Sequence, residues 1–202
     1  MENRIITIGR QHGSGGRFIG EQLGKALGIP CYDSQLIIET AEESGFAPSF
    51  VAANEEHRPS SFLYSLVMGL TSPADEQPLS IKLFQTQSEV IRKVAARGSC
   101  IIVGRCADYI LRETPGLVNI FVHAPLQSRI QRICQRDHMT AEAAEKNILA
   151  QDKERSTYYE FFSGQKWGQV GNYHLSIDTS KIGIDGSVAM IEKYLELSVA
   201  GK

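Results

Sequence analysis

The sequence predicts a three-layer α/β fold, in which a central parallel sheet of about five strands carries helices on both faces. Short apolar or β-branched runs alternate along the chain with longer segments whose apolar residues have helical spacing. Apart from residues 173–178, the runs consist mainly of apolar or β-branched residues, which is typical of strands covered on both sides. With 202 residues, 42% of them hydrophobic, the chain suits a single domain with a real core.

The elements follow in order along the chain. The strand-like runs lie at residues 4–9, 29–32, 99–104, 117–124 and 173–178. Helical patterns begin within the glycines after residue 12, and recur at residues 79–97, 125–136 and 184–197. Residues 45–78 break the alternation with prolines and serines, so we expect a small insertion there with irregular or mobile structure.

Composition excludes several classes of function. A net charge of −2 gives no sign of nucleic acid or an anionic membrane as a partner. The four cysteines lack metal-ligand spacing, and no apolar run is long enough to span a bilayer. We therefore expect a cytoplasmic protein with reduced cysteines.

The segment GRQHGSGGRF, residues 9–18, joins the first strand to the first helix. Glycines at such a turn let backbone N–H groups approach an anion, as in a P-loop. The full signature G-x-x-x-x-G-K-[ST] would place glycine, lysine and a hydroxyl where this chain has Arg10, Gly16 and Arg17. Arg17 is our candidate to replace the lysine's charge. A plain strand-to-helix turn with a surface arginine is the alternative.

Four segments of the chain resemble the cytidylate kinase-like family of nucleoside monophosphate kinases. They read ITIGRQHGSGGRFIG, LGIPCYDSQLI, IIVGRCADYIL and YYEFFSGQKWGQVGNYHLSIDTS, and the resemblance covers nearly the whole chain. It implies a P-loop NTPase fold with ATP and Mg²⁺ as cofactors. By position it assigns the ATP phosphates to Gly13, Ser14, Gly15, Gly16 and Arg17. His12, inside the same loop, is a further donor candidate, or a polar residue facing water.

On the acceptor side, Asp33, Ser34 and Arg105 match family positions that bind the second nucleotide. Gln35 and Glu39 depart from the family, because they stand where a glycine and a phosphate-binding arginine are expected. Asp33 and Ser34 are equally consistent with a helix N-cap. Arg105 follows the third strand at its carboxyl end, where open parallel sheets bind ligands.

The resemblance also implies a lid that closes over the phosphates, which we place at residues 137–168. Arg129 and Arg132 recur on one helical face, and Asp152 and Arg155 keep the family's spacing. We expect the arginines to screen the transferred group and Asp152 to orient one of them or accept a proton. A solvated basic face and an ordinary salt bridge from Asp152 to Arg155 are the alternatives.

Five aromatic residues lie close together near the end of this region: Tyr158, Tyr159, Phe161, Phe162 and Trp167. We expect them to pack a helix onto the core or onto a second subunit of a homodimer, with base stacking as the alternative.

The resemblance implies ATP-dependent phosphoryl transfer to a nucleoside monophosphate, with a CMP- or dCMP-like acceptor. Two alternatives stay open: a non-catalytic nucleotide- or anion-binding protein with a kinase fold, and a kinase for another small phosphorylated acceptor. The first is favoured by the missing lysine and by Val103, which stands where related kinases often have an aspartate.

Overall fold

The computed structural model describes residues 4–33 and 79–200. The predicted insertion at residues 45–78 and the candidate residue Ser34 lie outside the described residues. The arrangement of one domain with an insertion therefore stays a prediction.

The described residues form one five-stranded sheet with all neighbours parallel, in the order β2-β3-β1-β4-β5. The strands are β1 (Ile5–Arg10), β2 (Cys31–Tyr32), β3 (Cys100–Val103), β4 (Leu117–His123) and β5 (Leu175–Asp178). β2 to β5 each fall within a predicted apolar run, and β1 extends one residue beyond its run, to Arg10. The predicted three-layer fold with a parallel sheet is confirmed.

Six α-helices lie within the described residues. They are α1 (Gly16–Leu27), α2 (Leu79–Ala96), α3 (Ala107–Ile110), α4 (Leu126–Asp137), α5 (Ala141–Ser163) and α6 (Thr179–Ala200). The helix predicted at residues 184–197 thus begins earlier, and Gly183, with φ of 67°, interrupts it with a kink. Among these residues, no helix is long and apolar enough to cross a membrane.

The two faces of the sheet carry separate cores, because successive strand side chains point to opposite sides. Ile6 and Ile8 pack with the apolar faces of α1 and α6, whereas Ile5 packs with α2, α3 and Tyr159 of α5. Both layers are built from fully buried aliphatic side chains. The carboxyl ends of β1 and β3, where the candidate site lies, are therefore fixed from both sides.

A third, smaller cluster joins α4 to α5 through Ile130, Ile133, Ala144 and Ile148. This contact sets how the arginines of α4 and the acidic and basic groups of α5 approach the loop after β1. The lid segment, which we define as residues 137–168, consists mainly of α5.

Candidate active site

The glycine-rich loop, residues 9–18, connects the end of β1 to the start of α1. Gly13 and Gly15 have φ of 77° and 93°, in the left-handed region that favours glycine. A Cβ at position 15 would also collide with the side chain of Ile184. Both glycines are therefore needed for the course of the backbone here.

Three consecutive loop carbonyls are held by side chains from other elements. Arg129 Nη1 donates to the carbonyl of His12 at 3.2 Å, and Arg132 Nη1 donates to that of Gly13 at 2.6 Å. The buried hydroxyl of Thr179 donates to the carbonyl of Ser14 at 2.8 Å. Two of the predicted lid arginines thus bind the loop backbone itself.

This arrangement orients the N–H groups of the loop. In a planar trans peptide, the N–H points away from the preceding carbonyl. The N–H groups of Gly13 and Gly15 therefore point away from Arg129 and Thr179, which hold the carbonyls of residues 12 and 14. Within the described part of the chain, the N–H groups of Gly13, Gly15, Gly16 and Arg17 donate no hydrogen bond. Free N–H groups at a helix N-terminus form an anion-binding cradle.

Asp152 of α5 fastens the lid segment to the loop. Its Oδ1 accepts the backbone N–H of His12 at 2.7 Å, and its Oδ2 accepts Arg129 Nη1 at 2.5 Å. Both members of the ion pair are largely buried. Asp152 thus forms its ion pair with Arg129, and not with Arg155 as the alternative expected, while its part in catalysis stays a prediction.

Arg155 also contacts the loop. It donates to the carbonyl of Arg10 at 3.1 Å, and its other terminal nitrogen lies 3.5 Å from Nδ1 of His12. Burial lowers the pKa of Arg155, although Asp152 opposes the effect. The guanidinium is thus placed at the start of the glycine-rich loop.

His12 is held neutral at physiological pH. Burial, followed by the positive charges of Arg155 and Arg136, lowers the pKa of its imidazole to about 4, against the opposing effect of Asp152. Its Nε2 is buried and forms no close hydrogen bond among the described residues, and a weak contact with Asn147 only partly opposes the lowering of the pKa. As a neutral ring, His12 can offer one N–H to a ligand but no positive charge.

Arg17, the predicted substitute for the lysine, lies on the exposed side of α1. Its side chain donates to Glu21 at 2.9 Å and pairs with Asp33 at 3.1 Å, with 62% of the side chain exposed. These carboxylates raise the pKa of Arg17, with the Glu21 hydrogen bond as the largest cause. Its role with the donor phosphates stays a prediction.

The two described acceptor candidates stand at the ends of neighbouring strands. Asp33 directly follows β2, and Arg105 lies just after β3. Arg105 and Cys106 are both left-handed, with φ of 57° and 54°, which costs about 1–3 kcal/mol for each residue. Gln87 of α2 stabilises this turn by donating to the carbonyl of Arg105 at 3.1 Å. Strained backbone of this kind is typical of functional sites.

The described residues do not fit a protein-ligated Mg²⁺ site. Oxygen ligands are the chemistry that Mg²⁺ requires, yet Arg17 replaces the loop hydroxyl and Val103 offers no carboxylate. Asp108 is buried and accepts the hydroxyl of Tyr159 at 2.8 Å, and burial raises its pKa. No group of three or more His, Cys, Asp or Glu residues converges within residues 4–33 and 79–200.

The aromatic cluster packs against neighbouring elements, as one of the two interpretations predicts. Phe162 stacks on Phe84 of α2 with ring centroids 4.0 Å apart, and Tyr158 meets Phe84 edge-on. Trp167 contacts Phe121 of β4 edge-on at 5.4 Å. These rings attach the carboxyl half of α5 and the chain after it to the body of the fold.

Arg10 is a partly buried residue of the site that the sequence did not single out as a ligand-binding candidate. Its side chain lies against Gly16 and Gly104, in the positions where added Cβ atoms would meet it. Burial and the charges of Arg155 and Arg105 lower the pKa of Arg10 to about 9. The sequence did indicate an unusual arrangement here, because Arg10 occupies the position of the first glycine in the signature and Gly16 occupies the position of the lysine. Thr179 and Gln87 carried no such signal.

Solved structures share this architecture. A protein from Eubacterium ventriosum, described only as uncharacterized, is 26% identical and superimposes with a TM-score of 0.74 over 96% of this chain and 98% of its own. Shikimate kinase from Acinetobacter baumannii is 16% identical with a TM-score of 0.53, covering 100% of this chain and 96% of its own. At that identity the shikimate kinase shows the fold alone.

Curated relatives agree with the resemblance. Cytidylate kinase from Methanopyrus kandleri is 22% identical over 95% of this chain and 93% of its own length. Cytidylate kinase from Ignicoccus hospitalis is 23% identical over 95% and 98%, respectively. The model of the cytidylate kinase-like family matches residues 5–181, which include every described element of the site. With the parallel sheet, the glycine-rich loop and this match together, the chain belongs to the cytidylate kinase-like family.

Proposed function

We propose that the protein transfers the γ-phosphoryl group of ATP to a nucleoside monophosphate, with CMP or dCMP as the acceptor class. The observation that carries this proposal is the set of backbone N–H groups of Gly13, Gly15, Gly16 and Arg17, which donate no hydrogen bond within the described residues. They lie beside arginines at the carboxyl end of a parallel sheet. Family membership supports it, as do two relatives named cytidylate kinase that cover most of the chain.

The donor phosphates would lie in the cradle of the glycine-rich loop. Phosphoryl transfer needs positioning and charge stabilisation more than covalent chemistry, because charge is spread over the oxygens of the transferred group. The loop N–H groups supply fixed dipoles, and Arg155 adds a positive charge at the loop's first residues. Since other side chains hold the loop carbonyls, little reorganisation is needed when the phosphates bind.

The acceptor would lie across the ends of β2 and β3. Arg105 would bind its phosphate and Asp33 its nucleoside part, as the family resemblance implies. Asp33 is also paired with Arg17, so ligand binding on either side would affect this ion pair. ATP would bring its own Mg²⁺, since the described residues offer no ligand set for the ion.

A non-catalytic nucleotide- or anion-binding protein is the second candidate. It is favoured by Arg129 and Arg132, because their guanidinium groups donate to backbone carbonyls of the loop instead of being left open for phosphates. A kinase for a different small phosphorylated acceptor is also compatible with Gln35 and Glu39, which depart from the cytidylate-binding pattern.

An acceptor panel separates these candidates. The protein is incubated with ATP and each ribo- and deoxyribonucleoside monophosphate in turn, with and without Mg²⁺, and ADP formation is followed. We expect ADP to form fastest with CMP or dCMP and to require Mg²⁺. ATP binding without turnover on any acceptor would support the non-catalytic alternative. Slow ATP hydrolysis at the same rate with and without each acceptor would contradict phosphoryl transfer to a nucleotide.

A further inference from the structure

Two glycines make room for one arginine beside the glycine-rich loop. A Cβ added to Gly16 would lie 2.6 Å from Cβ and 3.0 Å from Cγ of Arg10, and one added to Gly104 would overlap its Nη1. The stem of Arg10 thus lies on the first residue of α1, and its guanidinium lies on the turn after β3. Any larger residue at position 16 or 104 would displace it.

Arg10 and Gly16 are an exchanged pair relative to the phosphate-loop signature. The signature has glycine at the position of Arg10 and lysine at the position of Gly16. In this chain the cationic side chain is at residue 10 and the glycine is at residue 16. Because the two residues are in contact, the exchange moves the cation across the loop instead of removing it.

The guanidinium of Arg10 has no anionic partner within the described residues. No hydrogen bond or ion pair of its side chain is formed there, and its carbonyl accepts Arg155. Burial and the nearby charges of Arg155 and Arg105 lower its pKa to about 9, whereas Asp33, which opposes this effect, is paired with Arg17. Arg10 therefore stays protonated near pH 7 in a strongly positive environment. A bound polyphosphate would neutralise that environment.

We propose that Arg10 is the residue that binds the donor phosphates in place of the missing lysine, in a position that Gly16 and Gly104 leave open. This inference rests on the proposed function, because it assigns a phosphate-binding residue to the same donor site. It names a different cation from Arg17, whose side chain is already bound to Glu21 and Asp33.

The first test compares single variants by calorimetric titration with ATP. Arg10→Met should weaken ATP binding at least tenfold, and Arg17→Met should change it less than threefold. Arg97→Met is the control, because Arg97 is exposed beyond the end of α2. The melting temperature of unliganded Arg10→Met should equal or exceed that of the parent, because the substitution removes a positive charge that Arg155 and Arg105 repel. Unchanged ATP affinity in Arg10→Met would overturn the inference.

The second test restores the ordinary arrangement of the signature. Gly16→Lys alone should lower the melting temperature, because its Cβ meets Arg10. The double variant Arg10→Gly with Gly16→Lys has the lysine of the signature, so it should fold and bind ATP within about threefold of the parent. Arg10→Gly alone should bind ATP at least tenfold more weakly than the parent. A double variant that folds but binds no better than Arg10→Gly would overturn the inference.

The two proposals fail in distinguishable ways. If the parent protein binds no ATP, the proposed function fails together with this inference. If the parent binds ATP and Arg10→Met binds equally well, the inference alone fails.

Discussion

Replacing Asp152 tests whether the lid segment and the glycine-rich loop form one structural unit. Asp152 accepts the N–H of His12 and the guanidinium of Arg129, whose side chain is only 8% exposed. Asp152→Ala would leave that buried charge without its partner, which costs about 3–5 kcal/mol. For a chain of this size, the melting temperature should fall by about 6–20 °C.

The assay is urea unfolding near pH 7.5, with Asp137→Ala as the matched control. Asp137 also pairs with an arginine of α4, Arg136, but in an exposed position where such a pair contributes about 1 kcal/mol or less. Combining Arg129→Met with Asp152→Ala removes both buried charges. The double variant should therefore lose less unfolding free energy than the sum of the losses in the two single variants. If Asp152→Ala unfolds within about 1 kcal/mol of the parent, the ion pair does not hold this unit together.

Three further predictions concern the loop and the lid segment. The pKa of His12 is about 4 in the folded chain and about 6.5 in the unfolded chain. The neutral ring therefore contributes fully to the free energy of unfolding above about pH 6.5, and this contribution is lost as the pH falls toward 4. Between pH 7.5 and 5 the parent should therefore lose more unfolding free energy than His12→Gln, by about 1–2 kcal/mol because solvent screens this partly exposed ring; equal losses would contradict this. Hydrogen exchange should be faster in residues 137–168 than in the strands, since lids must open for product to leave, except where the aromatic cluster packs residues 158–168; uniformly slow exchange would argue against a lid. Sulfate should shift the amide resonances of residues 13–17 before any others, and an unaffected loop would argue against the cradle.

The strands and the loop were predictable because local sequence determines them. Runs such as Cys100–Val103 are apolar throughout, and a strand covered on both faces needs that composition. Gly13 and Gly15 mark the loop because their backbone angles are difficult for other residues. The early start of α6 was missed because Gly183 interrupts the helical pattern without ending the helix.

The partners within the site were not predictable, because they depend on tertiary placement. His12 and Asp152 are 140 residues apart in sequence, and nothing local indicates that they are bonded. The direction of the arginine side chains is also set by packing: Arg129 and Arg132 share a helical face, as predicted, but that face meets the carbonyls of the loop. The Arg10 and Gly16 pair becomes interpretable only once the two residues are known to touch.

The most direct test of the proposed function follows the transferred atoms. The protein is incubated with CMP, Mg²⁺ and ATP whose γ-phosphoryl oxygens carry ¹⁸O, and the nucleotides are then separated and their masses measured by mass spectrometry. The account predicts CDP that carries the heavy phosphoryl group, formed in equal amount to ADP. Labelled inorganic phosphate without labelled CDP, or intact ATP after prolonged incubation, would contradict it.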